Sequence, residues 1–225
     1  MLAVVNALVQ DASGMPSLWE LVKSGGPLMW PIGATSVVAL AYAVERWLAL
    51  SHAKLGPERF GRDVVDAVRS SGPNQGLEVC KRQATPLARI LSVALDHASA
   101  APQEREKRVE DVATDEVRKL GANLRPLLVV YVVAPLLGLL GTVWGLIEAF
   151  ATIAMKQGLG KPELLASGVY QALVTTAAGL TVAIPTVIAY YYLKGRVDSF
   201  ARRTESLYIE LDRNLSMPAV LHANP

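Results

Sequence analysis

Three long stretches of this chain are apolar and almost free of charge, and no other feature limits its possible folds as strongly. The first runs from Leu28 to Leu50 and carries no charge until Glu45 and Arg46. The second, Leu127 to Ile147, is 21 residues with Thr142 as its main polar interruption, and the third covers the 30 residues from Leu164 to Leu193. About 20 apolar helical residues cross the roughly 30 Å hydrocarbon core of a bilayer. At about 1.5 Å per residue the third stretch would reach about 45 Å, so it must tilt or project beyond the membrane. The sequence predicts an all-α membrane protein with transmembrane helices at 28–50, 127–153 and 164–193 and long helices extending into the cytoplasm. Glu45 and Arg46 are expected at a headgroup boundary, with Trp30 and Trp47 marking the two interfaces of the first span.

The distribution of Lys and Arg sets the expected orientation, because cytoplasmic loops carry the excess. Residues 51–126 hold 13 of them and the tail from Lys194 holds 5, whereas the first 27 residues hold only Lys23 and the 154–163 connection only Lys156 and Lys161. Eighteen against three places the N-terminus outside. The 51–126 segment is then a cytoplasmic helical domain, 154–163 a short periplasmic loop and 194–225 a cytoplasmic tail. The first 27 residues lack the basic start of a signal peptide. They read as a retained external segment, in which Ser17 ahead of Leu18, Trp19, Leu21 and Val22 forms a short amphipathic helix on the membrane surface; a disordered tail is the alternative.

The 51–126 segment is punctuated by Pro57, Pro73, Pro86 and Pro102, with helical text between the breaks. Thr85 ahead of Pro86 has the form of an N-cap followed by proline at the first helical position. After Pro102, Val109, Ala113, Val117, Leu120 and Leu124 recur at three- and four-residue steps, while Glu110, Asp111, Arg118 and Lys119 fall elsewhere, on what reads as a mostly solvated face. This text runs on towards the second span, so one long helix adjusted at Pro126 and Pro135 is expected.

Several classes of chemistry find no support. Hydrophobic residues make up 52% of the chain and charged ones 19%, with a net charge of +2 and no basic stripe interleaved with aromatics, which argues against nucleic acid as a partner. Cys80 is the single cysteine and reads as a reduced, bland thiol. His52, His97 and His222 are scattered without metal-ligand spacing, and no nucleophile elbow or phosphate loop occurs. No catalytic residue, cofactor or metal is predicted.

The informative polar groups lie inside the spans. Membrane helices gain little from packing leucine on leucine, so small residues on one face mark close helix contact, and hydroxyls there mark a polar path or interhelical hydrogen bonds. In the second span Ala134, Gly138, Gly141, Thr142, Gly145, Ala149 and Thr152 fall within roughly a third of the circumference. In the third, Ser167, Gly168, Gln171, Thr175, Thr176, Gly179 and Thr186 share one half with several alanines. We therefore take Thr142, Gln171, Thr175, Thr176 and Thr186 as candidates for a polar path, and Gly138, Gly141, Gly145, Gly168 and Gly179 as packing positions. The bland alternative is that each threonine bonds back to its own helix and does nothing else. No Asp, Glu, Lys, Arg or His stands in the middle of any span, so a proton route would need a titratable group from a partner.

Two of these stretches resemble a known family. Arg125 to Phe150, RPLLVVYVVAPLLGLLGTVWGLIEAF, resembles the APLLGLLGTVxG signature of ExbB and TolQ, and Ser167 to Leu193 resembles their second signature, ending in GLxxAIP. The Glu45–Arg46 pair matches as well, and three spans favour the ExbB/TolQ branch over the four-span MotA branch. The resemblance implies a bacterial inner-membrane homopentamer around a pore holding helices of an ExbD/TolR-like single-span subunit. That partner carries the protonatable aspartate, and proton flow drives work on a periplasmic TonB-like protein. Phospholipid is the implied surround. By motif position Thr142 and Thr176 correspond to the family's pore-facing threonines, while Gln171 stands where many relatives have glutamate. The most ExbB-like output is TonB-dependent uptake; a TolQ-like envelope or gliding motor, or a non-conducting helical scaffold, are the alternatives. A solute transporter is disfavoured, because no inverted repeat is visible.

Overall fold

The computed structural model describes residues 23–50, 55–56, 58–155 and 162–216, and every regular element among them is a helix. Most of the 1–27 segment and most of the 154–163 loop lie outside the described residues. The helices are α1 (Met29–Ala49), α2 (Glu58–Ser71), α3 (Pro73–Lys81), α4 (Pro86–Asp96), α5 (Pro102–Ala122), α6 (Arg125–Met155) and α7 (Pro162–Ser216). Three stretches, Met29–Ala49, Pro102–Met155 and Leu165–Ser216, contain helices long and apolar enough to cross a membrane.

Prolines fix several of these boundaries. Thr85 caps α4 as its sequence suggests: its Oγ1 accepts a hydrogen bond from the Ala88 amide at 3.2 Å, with Pro86 in the first turn. Between α5 and α6 the adjustment expected at Pro126 takes the form of a two-residue turn. Pro126 lacks the N–H that would bond the Ala122 carbonyl, and its ring crowds that turn. The chain breaks at Asn123 and Leu124, with the Leu124 amide donating to the Gly121 carbonyl in a tight turn. Pro135 is accommodated inside α6 and Pro185 inside α7.

Contacts gather the described residues into two units, Met1–Leu40 with Leu127–Ile188, and Ala41–Pro126 with Ala189–Pro225. In the first unit α6 buries Ala134, Gly138, Gly141, Gly145 and Ala149, small residues at three- and four-residue steps. Its large residues, among them Leu136, Leu139, Trp144 and Ile147, stay exposed. That is the inverse of a water-soluble helix, and it is what lipid or neighbouring membrane helices require.

The second unit is built like a soluble bundle. Phe60, Val64, Val65 and Val68 of α2, and Leu87, Ile90, Leu91 and Leu95 of α4, form its core with Leu50 and Leu55. The C-terminal part of α7 closes it: Leu193, Val197, Phe200, Thr204, Leu207 and Leu211 are all buried, one stripe at three- and four-residue steps. Each large apolar side chain in this core contributes about 1.5–3 kcal/mol. The stripe explains why the helix does not end where its membrane-like text ends, but continues to Ser216 for 55 residues, about 80 Å.

Candidate functional site

Within the first unit the glycines of α6 and α7 meet across one seam. A methyl group on Gly138 would stand 3.0 Å from the Thr175 carbonyl oxygen, and one on Gly145 3.1 Å from the Ala172 Cβ. On Gly141 it would collide with the Thr175 side chain, on Gly168 it would lie 2.5 Å from the Ala149 Cβ, and on Gly179 2.6 Å from the Ala134 carbonyl oxygen. All five packing glycines thus sit where one backbone approaches the other. With little hydrophobic force to join helices in lipid, such close approach supplies the attraction.

The hydroxyls along this seam are spoken for. Thr175 is 1% exposed and donates to its own helix at the Ala172 carbonyl, 2.7 Å away. Thr176 does something different: its Oγ1 donates across the seam to the Gly138 carbonyl at 3.0 Å. Thr186 is buried and donates to Val182, and Thr142 turns back to the Leu139 carbonyl at 2.7 Å. The seam therefore brings Thr175 and Thr176 together with Gly138 and Gly141, while Thr142 bonds only to its own helix. A threonine whose hydrogen is committed keeps its oxygen lone pairs, so each of these hydroxyls is an acceptor awaiting a donor.

Gln171 packs against the turn that precedes α1. Gly26 has φ +70, a left-handed conformation that favours glycine, and any side chain there would strike the Gln171 amide nitrogen. A Cβ on neighbouring Gly25 would lie 3.4 Å from the Thr175 Cγ2. Nothing in the sequence pattern signals this contact, since glycine has no side chain to advertise a partner.

Glu45 and Arg46 clasp each other, Arg46 Nε donating to Glu45 Oε2 at 2.6 Å; Arg46 is buried and Glu45 exposed. Adjacent helical residues do not normally face one another, and the length of the arginine chain makes the closure possible.

In the second unit Glu110, Asp111, Arg118 and Lys119 of α5 are exposed, as expected of its solvated face, while two further charges on the same helix, Arg105 and Glu116, are buried. Arg105 is 2% exposed, with Nη2 2.6 Å from Asp212 Oδ1 and Nη1 donating to the Ala98 and Ala100 carbonyls. Glu116 is bound by Arg89 at 2.8 Å and Lys119 at 3.2 Å. Both lie on the Val109 face of α5, four residues before it and seven after, so a helical wheel places them inward.

One unit is a membrane helix pair sewn by glycines and lined with acceptor hydroxyls, and the other a bundle with its own core and buried ion pairs. Residues 82–206 match the MotA/TolQ/ExbB proton channel family. The chain is 32% identical to the biopolymer transport protein exbB1 of Vibrio cholerae over 77% of each chain. It is 30% identical to the Tol-Pal system protein TolQ of Pseudomonas aeruginosa, over 85% of this chain and 86% of that one. Identity is 28% with the biopolymer transport protein ExbB of Pseudomonas putida, over 83% of this chain and 60% of the relative. This multi-pass membrane chain belongs to the MotA/TolQ/ExbB proton channel family.

Proposed function

We propose that this chain is the channel subunit of an ExbB-like inner-membrane motor, in which proton-motive force does work on a TonB-like periplasmic protein. The observation that carries the reading is a polar seam without an acid. Residues 127–147 and 165–193 contain no Asp, Glu, Lys, Arg or His, yet threonines and Gln171 recur along them. Proton passage at membrane depth calls for a titratable group, so it comes from a second polypeptide, a single-span ExbD/TolR-like subunit bearing an aspartate. Five copies of this chain surround it, N-termini outside and the 51–126 domain with the 194–225 tail in the cytoplasm.

The hydrogen-bond state of the threonines supports a way for that pair to read protonation. Thr142 and Thr176 have given their hydrogens to backbone carbonyls, so they can only accept. A protonated aspartic acid can donate to them and dock; an aspartate cannot, and is driven towards water. Each proton gained or lost thus changes how firmly the partner is held, and that difference can be turned into rotation. The ExbB relatives favour TonB-type uptake as the output. The TolQ relative, matched over more of both chains, supports envelope maintenance as a second output.

The test is proton flux into liposomes carrying this chain alone, with an ExbD/TolR-like single-span subunit, and with that subunit's aspartate replaced by asparagine. Flux is expected only in the second preparation. Flux from the chain alone, or equal flux with the asparagine partner, overturns the reading.

A further inference from the structure

The second unit contains a cavity of about 540 Å³ that nothing above explains. Its walls include Gly56, Tyr191, Tyr192, Arg196, Ser199 and Arg203, and among the described residues no carboxylate lines it. Arg196 carries its charge there at a cost: its Nη2 is buried and has no hydrogen-bond partner among the described residues. A guanidinium nitrogen withheld from water and given no acceptor costs free energy, and negative charge held in the cavity beside the same guanidinium offsets part of that cost through space. Arg203, one wall further along α7, donates to the Gly56 carbonyl at 3.5 Å and adds a second positive charge. Ser199 Oγ accepts from Arg202 at 3.1 Å, which leaves its own hydrogen available. A Cβ on Gly195 would meet nothing within 4 Å, so the backbone beside Arg196 is open to a visiting group. Two positive charges and a hydroxyl donor, with open space at Gly195, make a cradle for a phosphate.

Its position selects the kind of phosphate. The uncharged text of α7 ends at Leu193, and the cavity runs from that end, at Tyr191 and Tyr192, along the helix to Arg203. Tyr192 stacks on Trp47 with ring centroids 5.3 Å apart and planes at 19°, the amphipathic aromatic pair that marks a headgroup layer. Basic pockets at that depth suit anionic headgroups.

We propose that this cavity binds the phosphate of an anionic phospholipid headgroup, with Arg196 and Arg203 as its charged contacts. The proposal rests on α7 spanning the membrane and on no part of the proton mechanism, and it is read by binding alone. Bound lipid would set a negative charge beside the Arg196 guanidinium and anchor the start of the second unit to the bilayer surface.

The experiment uses the full chain in nanodiscs of phosphatidylcholine with and without phosphatidylglycerol, read by retained lipid in native mass spectrometry and by thermal shift. Wild type is expected to retain phosphatidylglycerol selectively and to melt higher in its presence. Arg196→Gln should lower that retention about tenfold, the worth of a charge-assisted hydrogen bond. Lys194→Gln, which removes an exposed charge outside the cavity, should not. Gly195→Leu fills the open mouth without removing charge and should also lose the lipid, which protects the test should Arg196→Gln fail to fold. Equal loss in Arg196→Gln and Lys194→Gln means general surface charge and overturns the site. Stabilisation by inorganic phosphate equal to that by phosphatidylglycerol assigns the cradle to a soluble phosphate and overturns the lipid.

Discussion

A threonine hydroxyl has one hydrogen to give, and in the three long apolar helices it goes almost always to the same place. Thr35, Thr142, Thr152, Thr175, Thr181 and Thr186 donate to carbonyls three or four residues back, and Thr176 alone donates to another helix. Thr176→Val keeps the shape and removes both that bond and the free lone pair. An interhelical hydrogen bond in a membrane is worth about 1 kcal/mol. Thr176→Val is therefore expected to assemble normally yet lose proton flux by about tenfold or more, while Thr176→Ser retains most of it. Loss of assembly with no separate effect on flux would make Thr176 a packing residue only. Gln171→Glu is the complementary probe, because it adds an acid to the span with little change of volume. Held against Gly26, the new carboxyl should be tolerated or mildly harmful, and the partner's aspartate should stay indispensable. If Gln171→Glu restored flux to a complex whose partner carries asparagine, the division of labour proposed here would be wrong. The wheel of α7 singles out Gln171 and Thr176 but not what they touch: Gly26 and Gly138 meet them through backbone, which no pattern of side chains reveals.

At the scale of helices, the seam and the buried ion pair set different terms. A methyl on Gly179 would stand 2.6 Å from the Ala134 carbonyl oxygen, and backbone cannot rotate aside. Gly179→Ala should cost about 1–3 kcal/mol as overpacking. Gly121→Ala meets nothing within 4 Å in a helix and should gain about 0.5–1 kcal/mol. Melting of the detergent-solubilised protein distinguishes the two, and equal shifts would deny the seam. Asp212→Asn leaves the Arg105 guanidinium buried with carbonyls and a hydroxyl but no counter-charge, at a cost of about 2–3 kcal/mol. Arg105→Met should cost less, since it removes the charge that needs a partner. The same helices show how far sequence carries. Small residues at three- and four-residue steps disclosed the seam, and Thr85 before Pro86 disclosed the α4 cap. Arg105 and Glu116 sit on the Val109 face, so their burial was legible, but Asp212 lies 107 residues away and only the fold brings it there. Pro126 marked where the long helix is adjusted, but apolar periodicity continues across Asn123 and Leu124, so the extent of the turn there shows only in the backbone.

For the whole molecule, assembly and orientation are the two quantities that decide the proposed motor. The exposed leucines and valines of α6 suit lipid and neighbouring subunits alike, and native mass spectrometry should find a cyclic oligomer of five; a monomer alone would remove the pore. Orientation needs a chemical probe, and the natural thiol is a poor one. Cys80 is 3% exposed, and burial, with the Asp96 carboxylate adding to it, pushes its pKa up to about 11. Only the thiolate reacts, so near neutral pH Cys80 should label slowly from either side of the membrane, and faster as pH climbs towards 11. Silence at Cys80 in intact cells would therefore say nothing about topology. The decisive pair is built on Cys80→Ala. Ser71→Cys stands exposed at the end of α2, in the segment with 13 Lys and Arg, and Met155→Cys stands exposed at the end of α6. With a maleimide that cannot cross membranes, Met155→Cys should label in intact spheroplasts and Ser71→Cys only after permeabilisation. The positive-inside bias requires that pattern if the 51–126 domain is cytoplasmic. The reverse pattern would invert the chain and put its buried Arg105–Asp212 bundle on the periplasmic side, where the proposed motor has no use for it.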